Sequence, residues 1–550
     1  MNAGTTSGRF SMTRRRTSIS VIREPVSGVM GRSLSRRDML KYSSIGLAGA
    51  AVLGTAVGCG TAITEGGTAP TGTPKQGGHF TLGGSGGAAS DTLDPHIGTT
   101  NCDYARLPMI YDPLVGLDHE GKVKFVLAES IVPDATGKSY VITLREGVVA
   151  HDGQPFGAED VLFNFRRIVD NKLQGATTIG PIDFGATRVL DPRRLELVFE
   201  QPFSILVETL AGLPFYFMAP KSWTEDNIVG TGPFKLESFQ PGSQSSFVRN
   251  EEYWDEGKPY LDRVTVLNMA DEITQVNALL SGQVDAINYL SAQAVPQLQA
   301  AGQVLTISQT GGWAPITLPT NTAPFDDARV RQAFRLLVDR EQINDVVYGG
   351  YGTVANDVFA PYDPASTTFP QRERNVDEAK SLLKSAGVGT LDLTMITNDV
   401  VPAQRSVAQL FAQQAKDAGV NVNVQFENAT TFFANSYLKT TSVAQDYWYY
   451  VPYLANAAGA TVPTAPFNAT FFNDEEYGRL YQAAVATSDA ARQTECVHQM
   501  QRIDYERGGN IIPVFYPIID ATSPQVGGVT KDVSGWPLGN WNFKELWLDR

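Results

Sequence analysis

The chain has 550 residues, 58 acidic against 44 basic, with 42% hydrophobic residues, 19% charged residues and a mean hydropathy of −0.15. Such polarity excludes a multi-span membrane protein, 27 Phe, 20 Tyr and 7 Trp exclude a disordered chain, and three cysteines exclude a disulfide scaffold. A net charge of −14 opposes nucleic-acid binding, and the length calls for two or more domains.

The charge is uneven along the chain. Residues 1–58 hold nine Arg or Lys and two acids, leaving 35 basic against 56 acidic beyond them. Within this basic head, Ser35-Arg36-Arg37-Asp38-Met39-Leu40-Lys41 resembles a twin-arginine export motif, with Met39 where Phe is commoner. The apolar run from Ile45 to Gly58 is shorter than the roughly 20 residues a membrane span needs, and it suits a signal-peptide core. Ala56-Val57-Gly58-Cys59 resembles a lipobox, with Ala56 where Leu is commoner. The expectation is a cleaved lipoprotein signal over 1–58 and a lipidated Cys59, which anchors the protein to the outer face of the cytoplasmic membrane. Residues 59–77, rich in Gly, Thr and Pro, read as a flexible tether. The alternative is a soluble secreted protein in which Cys59 is incidental.

Beyond the tether, strand-like and helix-like stretches alternate, the mark of α/β lobes. Residues 327–343 show a helical stripe of Val330, Phe334, Leu337 and Val338, with Asp326 or Asp327 as N-cap. A second helix is expected over 375–387, capped by Asn375, with Leu382 and Leu383 inward and Gly387 ending it. A third spans 405–418 and stops at Gly419; Val420, Val422, Val424 and Phe426 then alternate as a strand, making half of a βαβ unit. Asn473 is read as the cap of a helix that turns Tyr477, Leu480, Tyr481 and Ala484 inward.

No catalytic constellation stands out. His79, His96, His119, His151 and His498 have no ligand-like spacing, so no metal or cofactor is expected. Cys102 and Cys496 can either pair or remain buried thiols. Gly83-Gly84-Ser85-Gly86-Gly87 satisfies GxSxG but lacks a helix directly after it. A secreted serine hydrolase using Ser85 is therefore the rival reading from another functional class.

Several stretches together resemble the family 5 extracytoplasmic solute-binding proteins of ABC transporters, which include dipeptide, oligopeptide and nickel binders. They are Leu93-Asp94-Pro95, Tyr111-Asp112-Pro113-Leu114-Val115, Leu127-Ala128-Glu129 and Tyr140 to Gly147. His151-Asp152-Gly153-Gln154-Pro155-Phe156 running on to Val161 is the strongest match; Gly230-Thr231-Gly232-Pro233-Phe234, Arg249 to Trp254, Ser281-Gly282-Gln283-Val284-Asp285 and Pro324 to Ala333 follow in order.

The resemblance implies a periplasmic-binding-protein type II fold: two α/β lobes joined by a hinge, with an extra subdomain on lobe I. Mapped here, lobe I takes 78–110, 229–309 and 511–550, the extra subdomain 111–228, and lobe II 310–510. It also implies a monomer that closes on a solute, most often a short peptide, and delivers it to a membrane permease with its ATPase subunits. By the same matching, Thr99, Thr100 and Asn101, then Asn288 and Tyr289, fall on ligand-contacting loops. Trp313 lies near the first crossover. Asp446-Tyr447-Trp448-Tyr449-Tyr450 is the densest candidate surface, since four consecutive aromatics offer flat faces and hydroxyls; the alternative is a buried strand. Peptide binders of the group often place an Asp three residues after this Trp to pair the ligand's α-amino group. Here that position is Val451, followed by Pro452. Either Asp446 takes the amine from another angle or the ligand has none there, and an oligosaccharide is the alternative ligand.

Overall fold

The first sheet has a parallel centre and antiparallel flanks; Val514–Thr522 is buried throughout, while Gln244–Arg249 and Arg263–Met269 alternate buried with half-buried residues. In the computed structural model, which describes residues 66–98 and 100–550, His79–Ser85 runs parallel to both Arg263–Met269 and Ala286–Ile287. The hairpin Phe234–Gln240 and Gln244–Arg249 extends one side, and Val514–Thr522 followed by Val304–Trp313 extends the other. Thr353–Val354 joins the start of Val514–Thr522. Cys59, Thr99 and the signal-like segment 1–58 lie outside the described residues.

A second sheet has the order Val420–Phe426, Leu391–Thr397, Val443–Gln445, Ile316–Thr317 and Asn510–Ile511. Its parallel pair Leu391–Thr397 and Val420–Phe426 is joined by the helix Gln404–Lys416, completing the expected βαβ unit, and Gly419 turns the chain at φ +78°. A third, antiparallel sheet of Ala128–Pro133, Ser139–Leu144, Arg194–Val198 and Arg188–Asp191 carries the helix Ala158–Asp170.

Two adjacent chain crossings join the first sheet to the second. Val304–Trp313 pairs with Val514–Thr522 in the first sheet, then Ile316–Thr317 pairs with Asn510–Ile511 in the second. At this waist Trp313 and Trp448 exchange both backbone hydrogen bonds, at 2.7 and 2.8 Å.

The helical stripe at 327–343 is two helices rather than one. Ala328–Leu336 ends, and Asp339 caps Arg340–Tyr348 by accepting from the Gln342 amide. Val330, Phe334, Leu337 and Val338 are all buried as expected. Val376–Ser385 is capped by Asn375; Leu383 is buried and Leu382 only half-buried. The cap of Glu475–Val485 is Asp474, one residue beyond Asn473.

The motifs that carry the resemblance interlock as structural ties. Asp112 accepts hydrogen bonds from Thr231 (3.2 Å), Tyr253 (3.0 Å) and Trp254 (2.9 Å). His151 Nδ1 accepts from the Gly230 amide and its Nε2 donates to the Gly232 carbonyl, so the ring is clamped in its neutral form. Burial, together with Lys235, lowers its pKa to about 4. A side chain at Gly230 or Gly232 would collide with the Ile110 backbone, its Cβ 1.9 or 2.5 Å away, which explains the glycines. Asp285 accepts from the Thr81 amide and pairs with Arg550, tying the C-terminus to the first sheet.

Under the second crossing lies a buried ionic cluster. Asp357 receives both Arg340 Nη2 bonds at 2.8 Å, a contact from Arg372, and the Ile512 amide at 3.0 Å; Arg335 stands 3.8 Å away. Burial alone would raise the Asp357 pKa, but Arg340, Arg372 and Arg335 outweigh it and hold the carboxyl below its usual range.

Candidate ligand-binding cleft

The segment after Val443–Gln445 lies at the waist, in contact with both lobes. Tyr450 donates its amide to the Ser534 carbonyl and the Tyr516 hydroxyl donates to the Trp448 carbonyl. Trp313, 1% exposed, stacks on Phe359 at 5.2 Å and on Trp448 at 5.9 Å, and its indole nitrogen has no partner among the described residues. From the first lobe, Tyr104 on the helix Asn101–Ile110 meets Trp536 at 4.9 Å, and Trp536 meets Tyr449 at 4.6 Å. Beside this bridge lies a cavity of about 850 Å³ whose lining includes Tyr104, Tyr216, Tyr450, Trp536 and Trp541.

Asp446 is the notable charge. It is 2% exposed and accepts from the Tyr447 amide (2.8 Å) and the Trp448 indole (3.1 Å). No basic side chain pairs with it among the described residues. Burial raises its pKa to about 7, against the Tyr447 amide, the Trp448 indole and the Tyr437 hydroxyl, which favour the ionised form. Tyr447 is half-buried, and its hydroxyl is near enough to those of Tyr104 and Tyr289 to act on their ionisation.

The loop residues fare differently. Thr100 is the N-cap of Asn101–Ile110; its hydroxyl accepts from the Asp103 amide and donates to Asp91 at 2.9 Å, so its hydrogen-bonding capacity is used internally. Asn101 opens that helix and is half-buried. Asn288 accepts from the Ser85 amide and from Gln275, while its Nδ2 is buried without a partner. Tyr289 holds φ +55°, a left-handed conformation that a bulky residue adopts only when its surroundings enforce it. Val451 is fully buried against the helix Leu206–Gly212: a Cβ added to Gly212 would sit 2.8 Å from its methyl.

Sequence reasoning missed Trp536, Trp541 and Tyr516, which come from the C-terminal part of the chain and carry no motif. Ser85 ends its strand with its amide on Asn288; none of its hydrogen bonds among the described residues goes to a His or a carboxylate. Cys102 and Cys496 are free, and burial pushes the Cys102 thiol up to about 12.

Two α/β lobes are joined by paired crossings, with aromatic side chains packed at the waist. The chain belongs to the bacterial extracellular solute-binding proteins, family 5, whose middle-region model matches residues 122–478. It is 27% identical over 476 residues to the glutathione-binding protein GsiB of Salmonella typhimurium, covering 80% of this chain and 90% of that one. DppA from Helicobacter pylori, solved in complex with the peptide STSA, superposes with a TM-score of 0.75 at 21% identity, covering 86% of this chain and 99% of that one. AgaA from A. tumefaciens R10, solved with agropinic acid, gives 0.77 at 22%, with the same coverage. The family is that of the substrate-binding proteins of ABC importers, which act outside the cytoplasm. Among the described residues no helix is long and apolar enough to cross a membrane.

Proposed function

We propose that the solute is a short peptide with a free α-amino group, captured between the lobes by hinge closure and handed to the permease. Asp446 is the observation that carries this reading. A buried carboxylate without a cation is costly, and a ligand ammonium supplies the missing charge. The surrounding tyrosines add flat faces and hydroxyls that suit varied side chains. Tyr447, Trp448, Tyr449, Asn288 and Tyr289 are assigned to the ligand walls. Lobe I is assigned 78–110, 229–309 and 511–550, the extra subdomain 111–228, and lobe II 310–510.

Calorimetry on ligand-stripped protein tests this with trialanine, N-acetyl-trialanine and maltotriose. Trialanine is expected to bind, and acetylation to weaken binding about a hundredfold, because it removes the ammonium and leaves Asp446 unpaired. Equal binding of the acetylated peptide defeats the assignment. The Tyr104–Trp536–Tyr449 bridge favours a second reading, an oligosaccharide stacked on aromatic faces, and a preference for maltotriose would establish it.

We also propose that a lipid on Cys59 holds the protein at the outer face of the membrane. Cys59→Ser is expected to move it from the membrane pellet to the soluble fraction. A wild-type protein that is already soluble rules the anchor out.

A further inference from the structure

The sharpest backbone anomaly among the described residues lies on the cavity wall. Leu538, Gly539, Asn540 and Trp541 follow one another at φ +51°, +66°, +66° and +54°. A single left-handed residue is ordinary, but a run with three non-glycine members persists only where the surroundings impose it. Here they do. The Leu538 amide donates to Asp520 Oδ2 at 2.7 Å, and the Asn542 amide closes back on the Leu538 carbonyl at 3.4 Å. Gly539 fits where a Cβ would stand 2.8 Å from the Thr530 hydroxyl.

What the turn achieves is the placement of Trp541. Its ring lines the cavity and is 4% exposed. It lies nearly parallel to Phe543 at 6.2 Å and edge-on to Tyr289 at 6.5 Å, so it has little room to rotate. Its indole N–H is buried and has no acceptor among the described residues. Buried donors are almost always paired, and an indole can only donate. A strained turn thus holds a cavity-lining residue whose buried donor is unpaired, the combination from which a ligand contact is inferred.

We propose that Trp541 is a specificity-determining residue of the cleft, its indole N–H donating to a carbonyl or carboxylate oxygen of the bound solute. The inference rests on the reading of this cleft as the solute site. The donor comes from the first lobe, and Asp446 is not among the residues that line this cavity, so the inference by itself requires only that the solute carry such an oxygen acceptor. Solutes without such an oxygen are selected against.

The test follows the Trp541 indole resonance by NMR, assigned by its loss in Trp541→Phe, while calorimetry reports binding of trialanine, glutathione and maltotriose. The phenyl ring removes the donor together with part of the buried ring, so the loss of the resonance and the affinity are read on a variant shown to be folded. With trialanine bound, the indole proton is expected to move downfield, and Trp541→Phe, still folded by its melting curve, to bind about tenfold more weakly. Tight binding without movement of that resonance, or undiminished affinity in the variant, overturns the inference. Binding of maltotriose alone, a sugar with neither carboxylate nor ammonium, overturns the inference together with the peptide reading. A protein that binds none of the three overturns both.

Discussion

Replacing Asp357 with asparagine is expected to reduce the free energy of unfolding by about 3–5 kcal/mol, the usual consequence of removing one partner from a buried ionic group. The substitution keeps the shape of the side chain. It also keeps tolerance for the left-handed backbone at this position, φ +66°, so the loss reports charge rather than strain. Arg340 and Arg335 are buried and Arg372 nearly so, and all three share this one carboxylate. Arg335 already shows the cost of its surroundings, since burial drags its pKa down to about 10 despite Asp357. Backbone carbonyls of Tyr505, Gly508 and Asn510 satisfy its N–H groups but supply no countercharge. The Ile512 amide, at the second crossing, also loses its anionic acceptor. Urea unfolding monitored by tryptophan fluorescence checks this: the midpoint should fall sharply with little change in slope. A loss below about 1 kcal/mol, the range of exposed pairs, would show that the arginines are neutralised elsewhere.

Why some of this was legible beforehand and some was not can be traced to particular residues. The βαβ unit over 391–426 shows itself in local periodicity and a terminating glycine, and both survive folding because the same residues form the core. The break at Asp339 hides inside a continuous helical stripe, because Leu337 and Val338 are buried across it. The cue present was local: a cap-forming Asp three residues before Gln342, the spacing of a capping box. The same spacing, Thr100 to Asp103, marks Thr100 as a helix cap, and the structure shows a completed capping box there. The cleft is harder to read. Asp446 to Tyr450 is conspicuous as a cluster, but the residues that meet it come from positions 104, 516 and 536, joined only by the closed fold. The left-handed turn at 538–541 contains one glycine; nothing in Leu538 or Trp541 announces a positive φ, which Asp520 and Thr530 impose through tertiary contacts.

Trialanine affinity is expected to fall about tenfold for each pH unit below about 7, and Asp446→Asn to abolish that dependence. In the unliganded protein the Asp446 carboxyl is pushed up to about 7 by burial. The groups that face it are neutral: the Tyr447 amide, the Trp448 indole and the Tyr437 hydroxyl. An incoming ammonium needs the ionised form, so below that pH each binding event must expel one proton, which gives a slope of one in log Kd. Above about pH 8 the ligand's own α-amine loses its proton, leaving a maximum between the two. The asparagine variant should bind about a hundredfold more weakly at pH 7.5 and stay flat from pH 5 to 7. Folding stability moves the opposite way. The carboxyl's pKa is higher in the folded than in the unfolded chain, so its contribution favours folding below the unfolded pKa of about 3.8 and is lost as pH rises towards 7. At pH 8 the unliganded variant should therefore be at least as stable as the wild type while binding poorly, a combination that general damage to the fold cannot produce. Calorimetry across this pH range in buffers of different ionisation heat measures the affinity and the proton released together; a flat wild-type profile with no proton release would remove Asp446 from the ligand's amine.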